Sequence, residues 1–206
     1  MERVETVDTI SFNAEICKIN TWHILRIPAN VSQQLPSRGM VMIQGTLNGF
    51  PFKIPLEPDG AGSHWFRTDH LLPNAAQLNV DDAVSLVIEP MKDWLEPEVP
   101  PDLQQAIRSG EVENQWNIIT TKARWEWIRW IRFSNNPATR KKRIKTACAM
   151  LKTGKKRPCC FDQSRCTETA VSKNGILLSV SSNYAPLQKS IDCKKVFGIC
   201  TFRVHE

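Results

Sequence analysis

Apolar and polar residues alternate in short runs along the first ninety residues of the chain. Between Ile10 and Cys17 every second residue is apolar, as in a strand that packs one face on a core. The same reasoning predicts five further strands, at Trp22–Ile27, Met40–Leu47, Phe50–Leu56, Ser63–Arg67 and Ala83–Glu89. Six short strands in so short a segment favour a small barrel or a highly curved sheet, because closure removes exposed strand edges.

The turns between these runs have sequence features of their own. Asn48-Gly49 tolerates positive φ at both central positions of a type I′ turn, so it predicts a β-hairpin between the strands on either side. The segments Ala29–Leu35 and Asp69–Gln77 are predicted to form short helical turns.

The pattern changes at Pro90, where prolines and acidic residues predict a linker that extends to Pro101. Helices are predicted beyond it, at Asp102–Ser109, Val112–Ile119 and Thr121–Phe133. A further helix begins after Asn136, which can cap it, and ends at Gly154. Its apolar stripe, spaced i, i+3, i+4, i+7, consists of Ile144, Ala147, Cys148 and Leu151.

Charge is distributed unevenly along the chain. Residues 1–99 include 7 basic and 13 acidic residues, whereas residues 100–206 include 20 basic and 8 acidic ones. Residues 122–157 alone contain 13 bases and a single acid, Glu126. This asymmetry indicates two modules with different surfaces and favours an acidic partner for the second. A merely solvated basic face, or pairing of the two halves with each other, would give the same composition.

The basic region contains the residues that we predict to bind an anion: Arg140, Lys141, Arg143, Lys145, Lys155, Lys156 and Arg157. Their partner would be a lipid headgroup, a nucleic acid or an acidic protein surface. We expect the five bases between positions 140 and 145 to face solvent, because few acids nearby could pair with them. Trp125, Trp127 and Trp130 would offer stacking faces, or would fill the core, as their helical spacing indicates.

The chain contains 7 cysteines at irregular spacing, which in a reducing compartment would be free thiols. Cys159 and Cys160 are candidates for reactive thiols, because nearby positive charge favours the thiolate. The simpler alternative is that both are buried beneath the preceding helix. Adjacent cysteines chelate one ion poorly, so we predict no metal site, and we predict no cofactor.

The sequence gives little support for a catalytic function or for insertion into a membrane. His64 and His70 flank one predicted strand and could form a general acid–base pair, but no nucleophile elbow or phosphate-binding loop accompanies them. We therefore name no catalytic residue. No apolar run approaches the roughly 18 residues of a membrane span. The first residues lack the basic and then apolar pattern of a secretory signal, so we expect a cytoplasmic location.

One stretch of the helical half is distinctive, namely Gly154-Lys155-Lys156-Arg157-Pro158-Cys159-Cys160-Phe161-Asp162, preceded by Ala138–Ile144 and Ile128–Ile131. It resembles the YdeI/OmpD-associated family, also labelled bacteriocin-protection. The first half resembles the domain of unknown function that often precedes this family. The matching motifs are Phe12-x-Ala14, Gly45-Thr46-x-Asn48-Gly49-x-Pro51-Phe52 and Pro58-x-Gly60-x-Gly62-x-His64-Trp65.

The resemblance covers roughly residues 10–162, in keeping with a two-domain length. It implies a small β-barrel followed by a helical hairpin-like module, and it implies no established reaction and no catalytic residue. The family labels imply a link to bacteriocin protection or envelope stress. The chain departs from the family at Asp81-Asp82, where Gly-Asp is common before the last strand.

We predict an α+β protein with a small N-terminal β-barrel and a C-terminal basic helical module. The expected boundaries are 1–92 for the barrel, 93–162 for the helical module and 163–206 for a tail without a matching motif. Truncation after Asp162 is expected to leave a folded protein. The predicted function is binding of an anionic partner. The alternative is an enzyme using His64 in a barrel cleft, or a redox protein using Cys159 and Cys160.

Overall fold

The computed structural model describes residues 9–69, 71 and 79–180, and its N-terminal part is a closed barrel of six antiparallel strands. The strands are β1 (Ile10–Ile19), β2 (Trp22–Arg26), β3 (Val41–Leu47), β4 (Phe50–Pro58), β5 (His64–Arg67) and β6 (Ala83–Pro90). A short helix, α1 (Ala29–Ser32), follows β2. The order around the barrel is β1, β2, β5, β4, β3, β6, so each strand pairs with two neighbours. The predicted barrel is confirmed.

Alternation along the strands fills the interior of the barrel. In β6, Val84, Leu86 and Ile88 are buried, whereas the residues between them are exposed. Leu25 of β2 and Phe66 of β5 face the same interior and are also buried. Burying a side chain of this size stabilises the fold by about 1.5–3 kcal/mol. The alternate apolar residues of the strands are therefore the ones that form the core of the barrel.

Two left-handed turns set the connections of β3, β4 and β6. Asn48 and Gly49 have φ of 48° and 84°, as a type I′ turn requires, and the predicted hairpin is confirmed. The Asn48 side chain accepts a hydrogen bond from the Ser85 backbone N–H at 2.9 Å, which attaches the turn to β6. Asp81 has φ of 71°, so this non-glycine residue adopts the left-handed geometry just before β6.

Four helices form the second part of the structure. They are α2 (Pro101–Ser109), α3 (Glu113–Ile118), α4 (Thr121–Arg132) and α5 (Pro137–Lys152). Asn136 caps α5 by accepting from the backbone N–H groups of Ala138 and Thr139, as the sequence predicted. Ile144, Ala147 and Leu151 of its stripe are buried. Across the part of the chain that the structure describes, no helix has both the length and the apolar character needed to cross a bilayer.

The segment between the barrel and α2 runs along α4. The indole N–H of Trp125 donates to the main-chain oxygen of Leu95 at 2.8 Å. Glu96 accepts a hydrogen bond from Thr121 and pairs with Arg124 at 2.5 Å. The predicted linker is thus fastened to the helix that faces the barrel.

Residues 163–180 pack on the barrel and form a small hairpin of β7 (Ser172–Lys173) and β8 (Ile176–Leu177). Cys166, Val171 and Leu177 are buried against Ile24 and Trp65. Such burial argues against the expectation that truncation after Asp162 would leave the fold intact, because it would expose apolar surface of the barrel.

Some sequence predictions fall wholly or partly outside the described residues. The sequence also allows strands at Ile176–Ser181 and Val196–Val204. The first is reduced to β8 within the described residues, and the second lies outside them. Most of the predicted turn at Asp69–Gln77 lies outside them as well.

The tail hairpin meets the barrel through a glycine contact, which gives a first prediction. A Cβ on Gly60 would lie 2.0 Å from the Gly175 main-chain oxygen, whereas one on Gly62 would have nothing within 4 Å. Both glycines have positive φ, 80° and 96°. Gly62→Ala should therefore cost only the left-handed strain, about 1–2 kcal/mol. Gly60→Ala should cost at least about 1 kcal/mol more, because the hairpin must move.

Urea unfolding of the two variants measures this difference directly. Equal losses of unfolding free energy would mean that the tail hairpin contributes nothing at this contact.

Candidate functional site

Two of the predicted anion-binding residues are engaged inside the helical module. Arg140 pairs with Asp102 of α2 at 2.7 Å, and a hydrogen bond from this arginine lowers the pKa of the Asp102 carboxyl. Arg143 donates to the main-chain oxygens of Trp130 and Phe133 at 2.6 and 2.7 Å. The expectation of five unpaired bases is thus wrong for these two. An acid of α2 and unsatisfied carbonyls at the end of α4 are their partners.

The lysines of the same region have a different environment. We call the following set the lysine face: Lys141, Lys142, Lys145 and Lys152 of α5, with Lys155 and Lys156 of the next loop. All six are exposed, and none forms an ion pair or a side-chain hydrogen bond with any residue that the structure describes. α5 itself contains no acidic residue. The face therefore carries positive charge that the described part of the protein does not neutralise.

The loop after α5 is held to α4 by its main chain and by one ion pair. The indole N–H of Trp127 donates to the main-chain oxygen of Lys156 at 3.2 Å. Arg157, also a predicted anion ligand, lies 3.4 Å from Glu126, although its own side chain is 55% exposed. Burial raises the pKa of the Glu126 carboxyl, and the charge of Arg157 opposes that rise. Arg157 is therefore partly engaged within the protein.

Cys159 and Cys160 are both exposed. The alternative that they are buried beneath α5 is therefore wrong. The chain turns away at Gly154, which has φ of 78°, and Phe161 instead lies near the guanidinium of Arg129, 5.5 Å from its ring centroid. Both thiols are accessible to a reagent. Within the described ranges no three His, Cys, Asp or Glu side chains converge as a metal-binding group.

The three tryptophans of α4 do not form a stacking surface. Trp127 is completely buried, and Trp130 packs edge-on against it with ring centroids 5.8 Å apart. Arg143 covers Trp130, with its guanidinium 5.3 Å from the ring centroid. Trp125 is attached to the linker and lines a cleft towards the barrel. For Trp127 and Trp130, the interpretation as core residues is the correct one.

His64 is a structural residue of the barrel. It is 1% exposed, and its Nε2 lies 2.8 Å from the main-chain oxygen of Gly39. Because a carbonyl only accepts, Nε2 must donate, and Nδ1 then accepts from the Ser32 hydroxyl at 2.5 Å. Burial lowers the pKa of His64, which favours this neutral form. With both ring nitrogens occupied, His64 has no free atom to offer a substrate.

A buried ionic network joins the barrel to the helices, and sequence reasoning missed it. Glu57, near the end of β4, pairs with Arg132 at 2.5 Å and lies 3.1 Å from Nε of Arg129, without hydrogen-bond alignment in the second case. Arg132 also pairs with Glu168 of the tail at 2.5 Å. The Glu57 and Arg129 side chains are only 11% and 1% exposed. We call these four residues the junction network.

The tail completes the network. Arg129 donates to the main-chain oxygens of Gln163 and Arg165 at 3.2 and 2.7 Å. Burial alone would raise the pKa of Glu57, but Arg132 and Arg129 together hold it below its usual value. Burial raises the pKa of Glu168. The Arg129 charge is thus compensated by Glu57, and its two terminal nitrogens are hydrogen-bonded to main-chain oxygens.

One sequence feature could have pointed to this network. Arg132 falls on the same helical stripe as Trp125 and Ile128, where a charged residue is unexpected. A charge on an apolar stripe requires a buried counter-charge, although nothing in the local sequence identifies Glu57 as that partner.

The fold and the junction network define a class of two-part protein, in which a closed six-stranded barrel is joined to a four-helix module by buried ion pairs. Comparison with family models identifies both parts. Residues 96–154 match the family described as Bacteriocin-protection, YdeI or OmpD-Associated, and residues 12–88 match the Domain of unknown function (DUF1905). The helical part of the chain is thus similar to the YdeI/OmpD-associated proteins, and the barrel is similar to that domain. A search of curated proteins gave no significant match.

The second prediction concerns Glu57. Glu57→Gln removes one charge while keeping side-chain size, and it leaves Arg129 buried beside a neutral group. We expect a loss of about 3–5 kcal/mol in the free energy of unfolding. Glu96→Gln is the matched control, because it breaks the more exposed pair with Arg124 and should cost at most about 1 kcal/mol. Similar small losses in both variants would show that the junction network does not hold the two parts together.

The third prediction follows from the lowered pKa of Glu57. An acid with a lower pKa in the folded state stabilises the fold above its unfolded-state pKa, about 4.3 for glutamate. That contribution is lost as the pH falls through the folded-state value. The stability difference between the wild type and Glu57→Gln should therefore be largest near neutral pH and shrink below about pH 4.3. Urea unfolding at several pH values tests this, and a constant difference would contradict it.

Proposed function

We propose that this protein binds an anionic partner through its lysine face. The observation that supports the proposal is the exposure of six lysines without an acidic partner in the described part of the chain. Like charges at such spacing repel each other, and a polyanion would relieve that repulsion while releasing its own counterions. The face thus has the electrostatic character of a polyanion-binding surface.

The composition of the face supports recognition of charge over recognition of sequence. Lysine offers a flexible point charge, whereas the planar guanidinium of arginine suits bidentate contacts. Arg140 and Arg143 are engaged elsewhere, and Trp127 and Trp130 are covered. The expected target is therefore a phosphate-rich or carboxylate-rich surface, such as a nucleic-acid backbone, anionic headgroups or an acidic protein.

The family description refers to bacteriocin protection. On that basis we extend the proposal to an anionic partner that takes part in bacteriocin protection. The extension rests on the family label, whereas the binding proposal rests on the lysine face.

The fourth prediction compares two triple variants of equal charge. Lys142→Gln, Lys145→Gln and Lys152→Gln together should weaken binding to heparin, to a duplex oligonucleotide or to phosphatidylserine vesicles. For duplex DNA, the slope of log K against log salt should become shallower by about 0.9 for each phosphate that the variant no longer neutralises. The control carries Lys18→Gln, Lys53→Gln and Lys173→Gln, which are exposed lysines outside this face.

Both triple variants should unfold within about 0.5 kcal/mol of the wild type per position, because the changed residues are on the surface. The proposal would be contradicted if the wild type and the lysine-face triple variant bound all three probes equally weakly. So would an equal loss in the control, because it would indicate a response to net charge alone.

A further inference from the structure

A cleft of about 450 Å³ lies where the barrel meets the helical module, away from the lysine face. Its barrel side includes Trp22 and Trp65, and its helical side includes Trp125. The first two indoles have ring centroids 6.2 Å apart. Small-molecule sites are commonly found between domains, in cavities of about 300–1,000 Å³ with apolar walls and a few polar groups. The cleft has this size, position and composition.

The charged groups of the cleft favour a positive ligand. Three acids line it, Glu57, Glu98 and Glu168, against two bases, Arg67 and Arg132. Arg132 is already paired twice within the junction network. Among the described residues Glu98 has no ion pair, and it is exposed at the rim of the cleft. An anion would find no unengaged base here, whereas a cation would find an unengaged carboxylate.

The second base of the cleft, Arg67, shows that the aromatic wall can hold a cation. Arg67 pairs with Asp69, and its guanidinium lies 3.9 Å from the ring centroid of Trp22. A cation over the face of an indole is attracted by the negative potential of the ring. One wall of the cleft thus already binds a cation of the chain itself. The indole N–H of Trp65, a residue only 1% exposed, has no acceptor among the described residues. An ammonium or guanidinium group is itself a donor, so the choice of a cation rests on the carboxylates and the aromatic wall.

We propose that the cleft binds a small organic cation, an ammonium or guanidinium group carried on an apolar or aromatic body. The body lies against the half-buried indole of Trp125, next to the barrel wall that contains Trp65, and the charge lies towards Glu98 and Glu168. This site is independent of the lysine face, which would bind anions on another surface of the molecule. The two proposals can therefore fail separately.

A probe series of constant shape tests the sign of the charge. Benzylamine, benzyl alcohol and benzoate differ mainly in carrying a positive, a neutral or a negative group. Each is titrated into the full-length protein while the indole N–H signals are followed by NMR, with the signals assigned from single Trp→Phe variants. Benzylamine should bind most tightly, benzoate most weakly, and the shifts should be largest for Trp22, Trp65 and Trp125. Binding of benzyl alcohol or benzoate at least as tight, or no shift of these indoles, would overturn the proposal.

A pair of variants tests the position of the charge. Glu98→Gln should weaken benzylamine binding about two- to fivefold, the range expected for a partly exposed ion pair, and leave benzyl alcohol binding unchanged. Glu15→Gln is the matched control, because this exposed glutamate of β1 does not line the cleft. An unchanged affinity for benzylamine in Glu98→Gln, or an equal loss in Glu15→Gln, would contradict the proposal. The lysine-face triple variant should bind benzylamine as the wild type does.

Discussion

The buried pairing of Glu57 with Arg129 and Arg132 is the interaction on which the arrangement of this protein depends. It connects the end of a barrel strand to the middle and end of α4. Removing charges from water is costly, and the cost is offset here by carboxylates that neutralise both guanidinium groups and by main-chain oxygens that accept from Arg129. The geometry of this junction also shapes the cleft, since Glu57, Arg132 and Glu168 are part of its wall.

Arginine and lysine have separate roles in the second half of the chain. Every arginine between residues 100 and 180 has an ion pair or a main-chain acceptor, namely Arg108, Arg124, Arg129, Arg132, Arg140, Arg143, Arg157 and Arg165. The lysine face has none in the described structure. A rigid, multiply donating guanidinium suits internal contacts, whereas a flexible and strongly hydrated ammonium suits the surface. The positive charge of this half is thus divided between arginines that make internal contacts and lysines that remain unpaired in the described structure.

Local rules were sufficient for most of the fold but not for the site. The hairpin at Asn48-Gly49 and the cap at Asn136 follow from backbone preferences of a few adjacent residues, and both were predictable. Glu57 and Arg132 are 75 residues apart, and no periodicity records which acid meets which base. For the same reason Arg140 was wrongly expected to be unpaired, because its partner Asp102 is 38 residues away. Cys159 and Cys160 were ambiguous because their exposure depends on where the loop after α5 turns.

The late position of residues 163–168 in the chain bears on how the protein is assembled during synthesis. Gln163 and Arg165, whose carbonyls accept from Arg129, leave the ribosome after α4, and Glu168 follows them. Until then, α4 presents two arginines to a barrel whose contribution to the network is Glu57. Domains generally fold in the order in which they are made. The barrel and the helices can therefore form early, but the seam between them closes only after the segment beyond both family regions has been translated.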